Sequence, residues 1–587
     1  LDDRAGDKSA GVRASGLWAS GLWASGLGLI ILVTLARTAY LAWACPYTLI
    51  EDEAHYWEWS RRLELSYYSK GPGIAWLIRA ATELCGTHEW SIRLPAVLSG
   101  ALGAWCVAGL ARDICRDRRA GLHAAAVYVC MPAFWVLSIL VTIDGPYLAC
   151  WAGACWAGWR ALTRGSRGAW ACLGLAIGAG FVVKYTILLL VPGLVIAWWL
   201  GRKDRDRPAG LAGPALALAC AALGLIPVLL WNATHGWITV RHLLGHLGVA
   251  GGDVASPKGE GWSPVWVLEL LGTQLALAGP AILLGVYGFV CARRAYRRCA
   301  AQSEAGAGPE CHDPEVLETW RAARYLACCG LPVLLFYLAV SLIAEPEGNW
   351  PIAAWVSAAP LGAIAVAGVM PEYRRRLAAW REKGRPGIRP HMHRVMAWRW
   401  TVGLGVIVAL GFARADWLAR LPVVGPIVPR GRLMLADVRA ADALRILGQL
   451  RAETGLEPVV MAQHYGRTSQ LAYYLPGRPV VYCAGAYMEG PRKQYDLWPE
   501  TNLSDEATHA ALLGRPALLV GGRFEQWAPA FELVADMGQL EGEHKKGRLI
   551  YLGYGYRGFG GAGAQEPTQP APQPAPQPNP APAGSGA

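Results

Sequence analysis

The sequence predicts a polytopic α-helical membrane protein of about eleven spans with a C-terminal extracytoplasmic α/β domain. Three observations lead there. Hydrophobic residues make up 54% of the 587-residue chain and charged residues 17%, below the roughly 25% of an ordinary soluble domain. Apolar runs long enough to cross a bilayer recur through residue 413. The basic residues gather in short clusters between those runs, the positive-inside pattern. That placement argues against nucleic acid as the partner of a chain with net charge +12.

Residues 1–26 read as an N-terminal cytoplasmic segment, with ASGLW repeated between 15 and 27 and no cleavable signal peptide evident. Residues 27–431 read as the membrane domain. Its spans fall at about 27–44, 91–111, 121–140, 145–162, 169–183, 186–200, 209–231, 264–291, 325–343, 351–370 and 400–413. The run 73–84 is short and carries Arg79, which suits an interfacial helix. Every even-numbered span is followed by a basic loop. These hold Arg116, Arg118 and Arg119; Arg160, Arg164 and Arg167; Arg202, Lys203, Arg205 and Arg207; Arg293, Arg294, Arg297 and Arg298; and the arginines from Arg374 to Arg399. Those loops and the N-terminus are expected in the cytoplasm. The other face then carries 45–72, 141–144, the turn at Lys184, 232–263, 344–350 and everything after about 414. In 432–557, strands are expected at 458–462, 479–483, 517–521 and 548–552, and helices at 465–474 and 524–537. This alternation reads as a small extracytoplasmic (periplasmic) α/β domain. Residues 558–587 read as a Pro-rich disordered tail.

The 15 cysteines lie mostly within apolar runs and form no paired CxxC, so they read as small buried residues rather than zinc ligands. No P-loop and no dinucleotide fingerprint occurs, so no nucleotide cofactor is expected.

Acids and isolated cations converge on the non-cytoplasmic face, and ionisable groups placed there mark function. Glu51, Asp52 and Glu53 open a stretch whose helical spacing puts Asp52, His55, Tyr56 and Trp59 on one face. The helix dipole favours ionised carboxylates in that first turn. A carboxylate there suits a general base for a sugar or lipid hydroxyl; a solvated first turn is the alternative. Asp144, in Thr142-Ile143-Asp144-Gly145-Pro146, is a helix N-cap, or shares with Asp52 a two-carboxylate site for a divalent cation, the one candidate cofactor. Both roles are compatible. Lys70, before Gly71-Pro72-Gly73, is a turn lysine or a phosphate ligand. Lys184 marks a short turn and also suits an anionic lipid headgroup. Arg241 and His235 are weaker candidates for the same face, and Glu269 falls just inside the eighth span.

Read in order, DEAHYWEWS, YYSKGPGIAWLIR, SIRLPAVLSG, TIDGPYL, WNATHGW, GNWP and KQYDLW resemble the bacterial GT-C glycosyltransferases of the aminoarabinose-transferase and protein O-mannosyltransferase-like group, over roughly 28–500. The resemblance implies a GT-C-like fold. It implies a sugar carried on polyprenyl phosphate and transferred, by inverting displacement, to a lipid (lipid A or another glycolipid) or a protein. The reaction would take place at the outer face of the cytoplasmic (inner) membrane. The resemblance gives Asp52 a catalytic or acceptor-binding role, with Glu53 its partner acid. Asp144 becomes the second outward acid, holding metal or acceptor. Lys70 becomes the donor-phosphate ligand, with Lys184 and Arg241 beside it, although this chain reads Lys-Gly-Pro-Gly where the group has Lys-Pro-Pro or His-Pro-Pro. Glu347, Asn349 and Trp350 match an outer-loop element near the active site. Glu347 and Asn349, with His55 and Tyr56, are the substrate-binding candidates. Gln494, Tyr495 and Asp496 match a recurring motif. Two other classes compete: a transporter or flippase of lipid-linked sugars, and a non-catalytic envelope assembly protein working through 432–557. A transporter would hold its charges near the bilayer midplane between internal repeats, and the sequence shows no such repeat.

Overall fold

The computed structural model describes residues 26–203, 210–246, 263–304, 313–366, 378–385, 391–488, 490, 492–541 and 548–560. The ASGLW repeat through residue 25, Arg205, Arg207, Arg374 to Arg376, the end of the tenth span and the tail from 561 lie outside the described residues. The chain divides into two compact units: Leu1–Ala441 with Ser469–Pro479, and Asp442–Thr468 with Val480–Ala587.

The apolar runs of the first unit fold as helices. In chain order they are α1 (Leu27–Trp43), α2 (Glu51–Arg61), α3 (Gly73–Cys85), α4 (Glu89–Cys115), α5 (Arg118–Cys130), α6 (Pro132–Val136), α7 (Asp144–Arg164), α8 (Arg167–Val183) and α9 (Leu190–Lys203). They continue as α10 (Ala212–Thr234), α11 (Ile238–His246), α12 (Pro264–Ala278), α13 (Ala281–Glu304), α14 (Pro314–Val340), α15 (Ala358–Val366) and α16 (Met392–Ala413). Five stretches of the described residues are long and apolar enough to cross a bilayer: α4, Tyr185–Arg202, α10, α14 and α16. A sixth is added if the bent pair α12–α13 counts as one span. The protein is thus a multi-pass membrane protein.

Four expected spans are not continuous α-helices, the sixth opening as the 3-10 segment Tyr185–Leu189 before α9. The third breaks because Met131 is extended (φ −61°, ψ 129°) ahead of Pro132, and a residue before proline is driven out of the α region. The eighth turns through 89° between α12 and α13, where Gly279 takes φ +58° and Pro280 follows. The tenth opens as a 3-10 segment, Trp350–Ser357, before α15.

Small residues set the helix spacing. A Cβ on Gly174 would collide with the Ala217 carbonyl, and one on Gly224 with the Gly178 carbonyl, so α8 and α10 meet backbone to backbone. In a bilayer, where apolar burial drives little, such close van der Waals packing holds helices together. Leu218, Leu223 and Leu230 of α10 and Ile407 and Leu410 of α16 stay exposed on the outside, as lipid-facing residues do.

The second unit holds a five-stranded sheet in the order β2-β1-β3-β5-β4. Its strands are β1 (Val459–Ala462), β2 (Tyr482–Cys483), β3 (Ala517–Val520), β4 (Phe531–Gln539) and β5 (Leu549–Tyr556). β1 runs parallel to β2 and β3, and β5 is antiparallel to β3 and β4. β1 and β3 are buried along their whole length, which fits their unbroken apolar sequence. The helix expected at 524–537 is a correction. Only Phe524–Trp527 is α-helical, a 3-10 turn follows through Pro529, and Phe531 onward becomes the edge strand β4. Proline denies that turn a backbone donor, and pairing with the aromatic-rich β5 captures the rest.

Candidate active site

Two glutamate–arginine bonds organise the first unit's site. The Glu53 carboxylate accepts from Arg93 Nε at 2.8 Å and Nη2 at 2.6 Å, from the Val141 N–H at 2.8 Å and from the Ile50 N–H at 3.1 Å. Arg93 also donates to the Tyr47 and Thr48 carbonyls. Glu53 and Arg93 are both fully buried. Both Glu53 oxygens are engaged, and the residue ties the loop before α2 to α4 and to the segment leading into α7. Asp52 is the residue before Glu53, and Asp144 follows Val141 by three. Glu53 thus positions both aspartate-bearing segments. Asp52 itself is half-buried in the first turn of α2.

Asp144 is the first residue of α7, not its cap; Ile143 holds the cap position with no side-chain bond. Its two oxygens accept from Lys184 Nζ at 2.6 Å and from Asn349 Nδ2 at 2.9 Å. Lys184 caps the C-terminus of α8 and lies 5.3 Å from the Tyr147 ring centroid. Asp144 and Lys184 are buried together.

Lys70 reaches the same place through its glycines. A Cβ on Gly71 would strike the Val182 carbonyl, and one on Gly73 would lie 2.8 Å from Val183 Cγ2. Only glycine lets the Lys70 turn press onto the end of α8, directly before Lys184. This explains the Lys-Gly-Pro-Gly departure noted above. Tyr67 N donates to the Lys70 carbonyl, and Ser66 and Tyr185 share a hydroxyl contact of 3.2 Å across the same junction.

Lys70 and Lys184 line one cavity of about 390 Å³. Ser69, Thr186, Tyr337, Glu347 and Trp350 add polar and aromatic groups to its wall, while Val183, Leu188, Leu189, Leu243 and Phe336 make the rest apolar. Leu188 and Phe336 are themselves partly exposed, 41% and 37%, so the apolar side opens outward. Tyr337 and Thr186 had no sequence signal beyond their place in apolar runs. Nor did Gln274, which braces the Glu347–Trp350 loop by donating to the Gly348 carbonyl at 2.7 Å and accepting from Trp355 Nε1 at 3.0 Å.

Five candidate residues stand elsewhere. The Arg241 guanidinium turns back to the Gly236 carbonyl at 2.7 Å, and Arg241 is not among the cavity's lining residues. His235 stacks on Trp231 at 4.0 Å. Trp231 and Thr239 brace the Lys70 loop by donating to Glu64 Oε2 and the Tyr67 carbonyl, at 2.6 and 3.2 Å. His55 and Tyr56 are buried against Trp59, and His55 Nδ1 lies 3.2 Å from Ser469 Oγ. Glu269, on α12, is exposed.

The residues do not fit a divalent cation between Asp52 and Asp144. A hard cation needs about six oxygen ligands, whereas the Asp144 oxygens already hold an ammonium and an amide. Among the described residues no three His, Cys, Asp or Glu side chains gather to hold a metal.

A family profile described as dolichyl-phosphate-mannose-protein mannosyltransferase matches residues 69–231. The chain is 26% identical over 504 residues to a lipid A galacturonosyltransferase, RgtD, of Rhizobium johnstonii, covering 84% of this chain and 90% of that one. It is 30% identical over 193 residues to the undecaprenyl phosphate-alpha-4-amino-4-deoxy-L-arabinose arabinosyl transferase of an Enterobacter species, a match spanning 34% of that relative and 30% of this chain. The crystal structure of ArnT from Cupriavidus metallidurans bound to undecaprenyl phosphate shares the fold, with TM-score 0.56 and 17% identity over 90% of this chain and 97% of that one. These likenesses support a GT-C membrane glycosyltransferase. Within that class they point to the aminoarabinose-transferase type.

Proposed function

We propose that this enzyme moves a sugar from polyprenyl phosphate to lipid A by inverting displacement at the outer face of the cytoplasmic membrane. The observation that carries the reading is the pairing of Lys70 and Lys184 on one cavity that also has an apolar side, Leu188, Leu189, Leu243 and Phe336. That combination suits a phosphate with a hydrocarbon tail. The tail lies along Leu188, Leu243 and Phe336, and the two ammonium groups neutralise the phosphate. The names of two relatives support the same donor and acceptor classes: one acts on lipid A and one uses a sugar on undecaprenyl phosphate.

The acceptor hydroxyl attacks the anomeric carbon. The bond from that carbon to the phosphate oxygen breaks, and its electron pair leaves with the phosphate, held by Lys70 and Lys184. Asp52 takes the acceptor proton. Asp144 orients Lys184 through the 2.6 Å bond and Asn349 through the 2.9 Å bond, and Glu53 holds both aspartate segments in register. The basic clusters after alternate expected spans support a periplasmic setting for this site. The test is transfer in vitro. Purified enzyme with lipid A and a polyprenyl-phosphate galacturonic acid or aminoarabinose donor should release polyprenyl phosphate in step with modified lipid A. Lipid-linked sugar crossing vesicles with its glycosidic bond intact would point to a transporter instead.

A further inference from the structure

Leu49 stands just before Ile50, the cap residue of α2, and is fully buried. Its backbone N–H and C=O are therefore out of water, and each needs a partner. Both partners are side chains from far along the chain. Tyr474 Oη accepts from the Leu49 N–H at 2.7 Å across 425 residues, and Gln470 Nε2 donates to the Leu49 carbonyl at 2.8 Å across 421. The Tyr474 hydroxyl in turn donates to the Glu89 carboxylate at the start of α4.

Gln470 and Tyr474 are four apart and so share one face of the helix Tyr465–Tyr474. The chain joins the first unit at Ser469 and leaves it after Pro479, and that short segment follows α2 along its length. Ser469 Oγ lies 3.2 Å from His55 Nδ1. Tyr473 meets the Trp57 ring edge-on, with centroids 4.9 Å apart. Arg61 Nη2 donates to the Arg478 carbonyl at 3.1 Å, and Arg478 Nη2 donates to the Thr87 carbonyl at 2.9 Å. Asp52 lies between the first two of these anchors, three residues after Leu49 and three before His55. Glu53 ties α2 to α4 through Arg93, whereas the backbone of Leu49, where the chain turns into α2, is held by Gln470 and Tyr474.

We propose that Gln470 and Tyr474 are positioning residues for Asp52: by fixing Leu49 they fix where the Asp52 carboxylate stands when the acceptor binds. The inference rests on the reading of Asp52 as the base. A reacting group displaced by about 1 Å can lose about 100-fold in rate. α2 supplies none of the donor cavity's lining residues, so the loss falls on kcat and spares the donor KM.

The experiment measures transfer by the full-length enzyme from a polyprenyl-phosphate sugar to saturating lipid A. It compares wild type, Tyr474→Phe, Asp52→Asn and the two substitutions together. Tyr474→Phe should lower kcat about 10- to 100-fold and leave the donor KM within about twofold of wild type. Added to Asp52→Asn, it should cost less than about twofold more, because it acts through Asp52. Gln470→Met removes the other bond to Leu49; it should show the same pattern, and it decides the matter if Tyr474→Phe does not fold. A wild-type kcat in the folded variants, a loss that appears in the donor KM instead, or a loss that multiplies with that of Asp52→Asn overturns the proposal. If Asp52→Asn is slow while Tyr474→Phe and Gln470→Met are not, the base assignment stands and only the positioning role falls. Asp52→Asn at the wild-type rate removes both.

Discussion

The Asp144–Lys184 pair offers a perturbation in which stability and catalysis should separate. The two side chains are 5% and 10% exposed, with their charged atoms 2.6 Å apart, so solvent screens the pair little. Asp144→Asn leaves Lys184 buried without its counter-charge, and Lys184→Met leaves Asp144 with only the Asn349 amide. Breaking one side of a buried pair costs about 3–5 kcal/mol. Replacing both residues removes both buried charges at nearly unchanged volume, so stability should return to within about 1 kcal/mol of wild type. Transfer should not return with it. The phosphate loses one charged hydrogen-bond donor, worth about 1.5–3 kcal/mol, so kcat/KM should stay about 10- to 150-fold below wild type. Denaturant unfolding of the single and double variants gives the stability side, and release of polyprenyl phosphate gives the catalytic side. A double variant that is both stable and near wild type in transfer would refute the reasoning, since the pair would then be structural alone.

Asp52→Asn should slow transfer about 10²- to 10⁴-fold, the usual worth of a positioned base, while leaving unfolding unchanged; a wild-type rate would remove Asp52 from the mechanism. Glu53→Gln should cost about 3–5 kcal/mol by stranding Arg93, visible as a lowered unfolding midpoint before any change in donor affinity. Gly71→Ala should cost about 1–3 kcal/mol through its clash with the Val182 carbonyl and should raise the donor KM more than it lowers kcat, because it moves Lys70 off α8. In the second unit, burial pushes the Asp496 carboxyl from 3.8 up to about 6, against the Lys493 N–H and the nearby Arg492 and Lys493 charges that pull it down. The folded state keeps this proton where the unfolded chain has lost it. Asp496 therefore adds full stability below about pH 4 and loses it as pH rises through about 6, by about 3 kcal/mol in all. Hydrogen exchange of the β3 amides in the whole protein should show that slope, and Asp496→Asn should flatten it.

Much of the architecture was legible because it is local. Among the described residues the apolar runs fall mostly on helices, since a span is declared by length and composition within a single stretch. β1, the helix Tyr465–Tyr474 and β3 match their expected places within a residue or two. The failures have two causes. Residues 531–537 have a helical pattern of apolar residues, yet they fold as an edge strand because β5 offers a partner. The breaks at Met131 and Gly279 follow proline and glycine signals that a long apolar average conceals.

The site divides along the same line. The chain's own chemistry singled out Asp52, Asp144, Lys70 and Lys184, because charged residues beside apolar spans are conspicuous wherever they point. The class of enzyme came from the resemblance of ordered motifs to a known family, which needs no coordinates. Which charges meet was decided only in three dimensions. Glu53 closes on Arg93 across 40 residues, and Asn349 reaches Asp144 across 205. Lys70 comes to the end of α8 because Gly71 fits under the Val182 carbonyl. Arg241, equally conspicuous in sequence, instead folds back on its own turn. Type and spacing along a chain record what a residue can do; helix packing, set by distant small residues, determines which partner is within 3 Å.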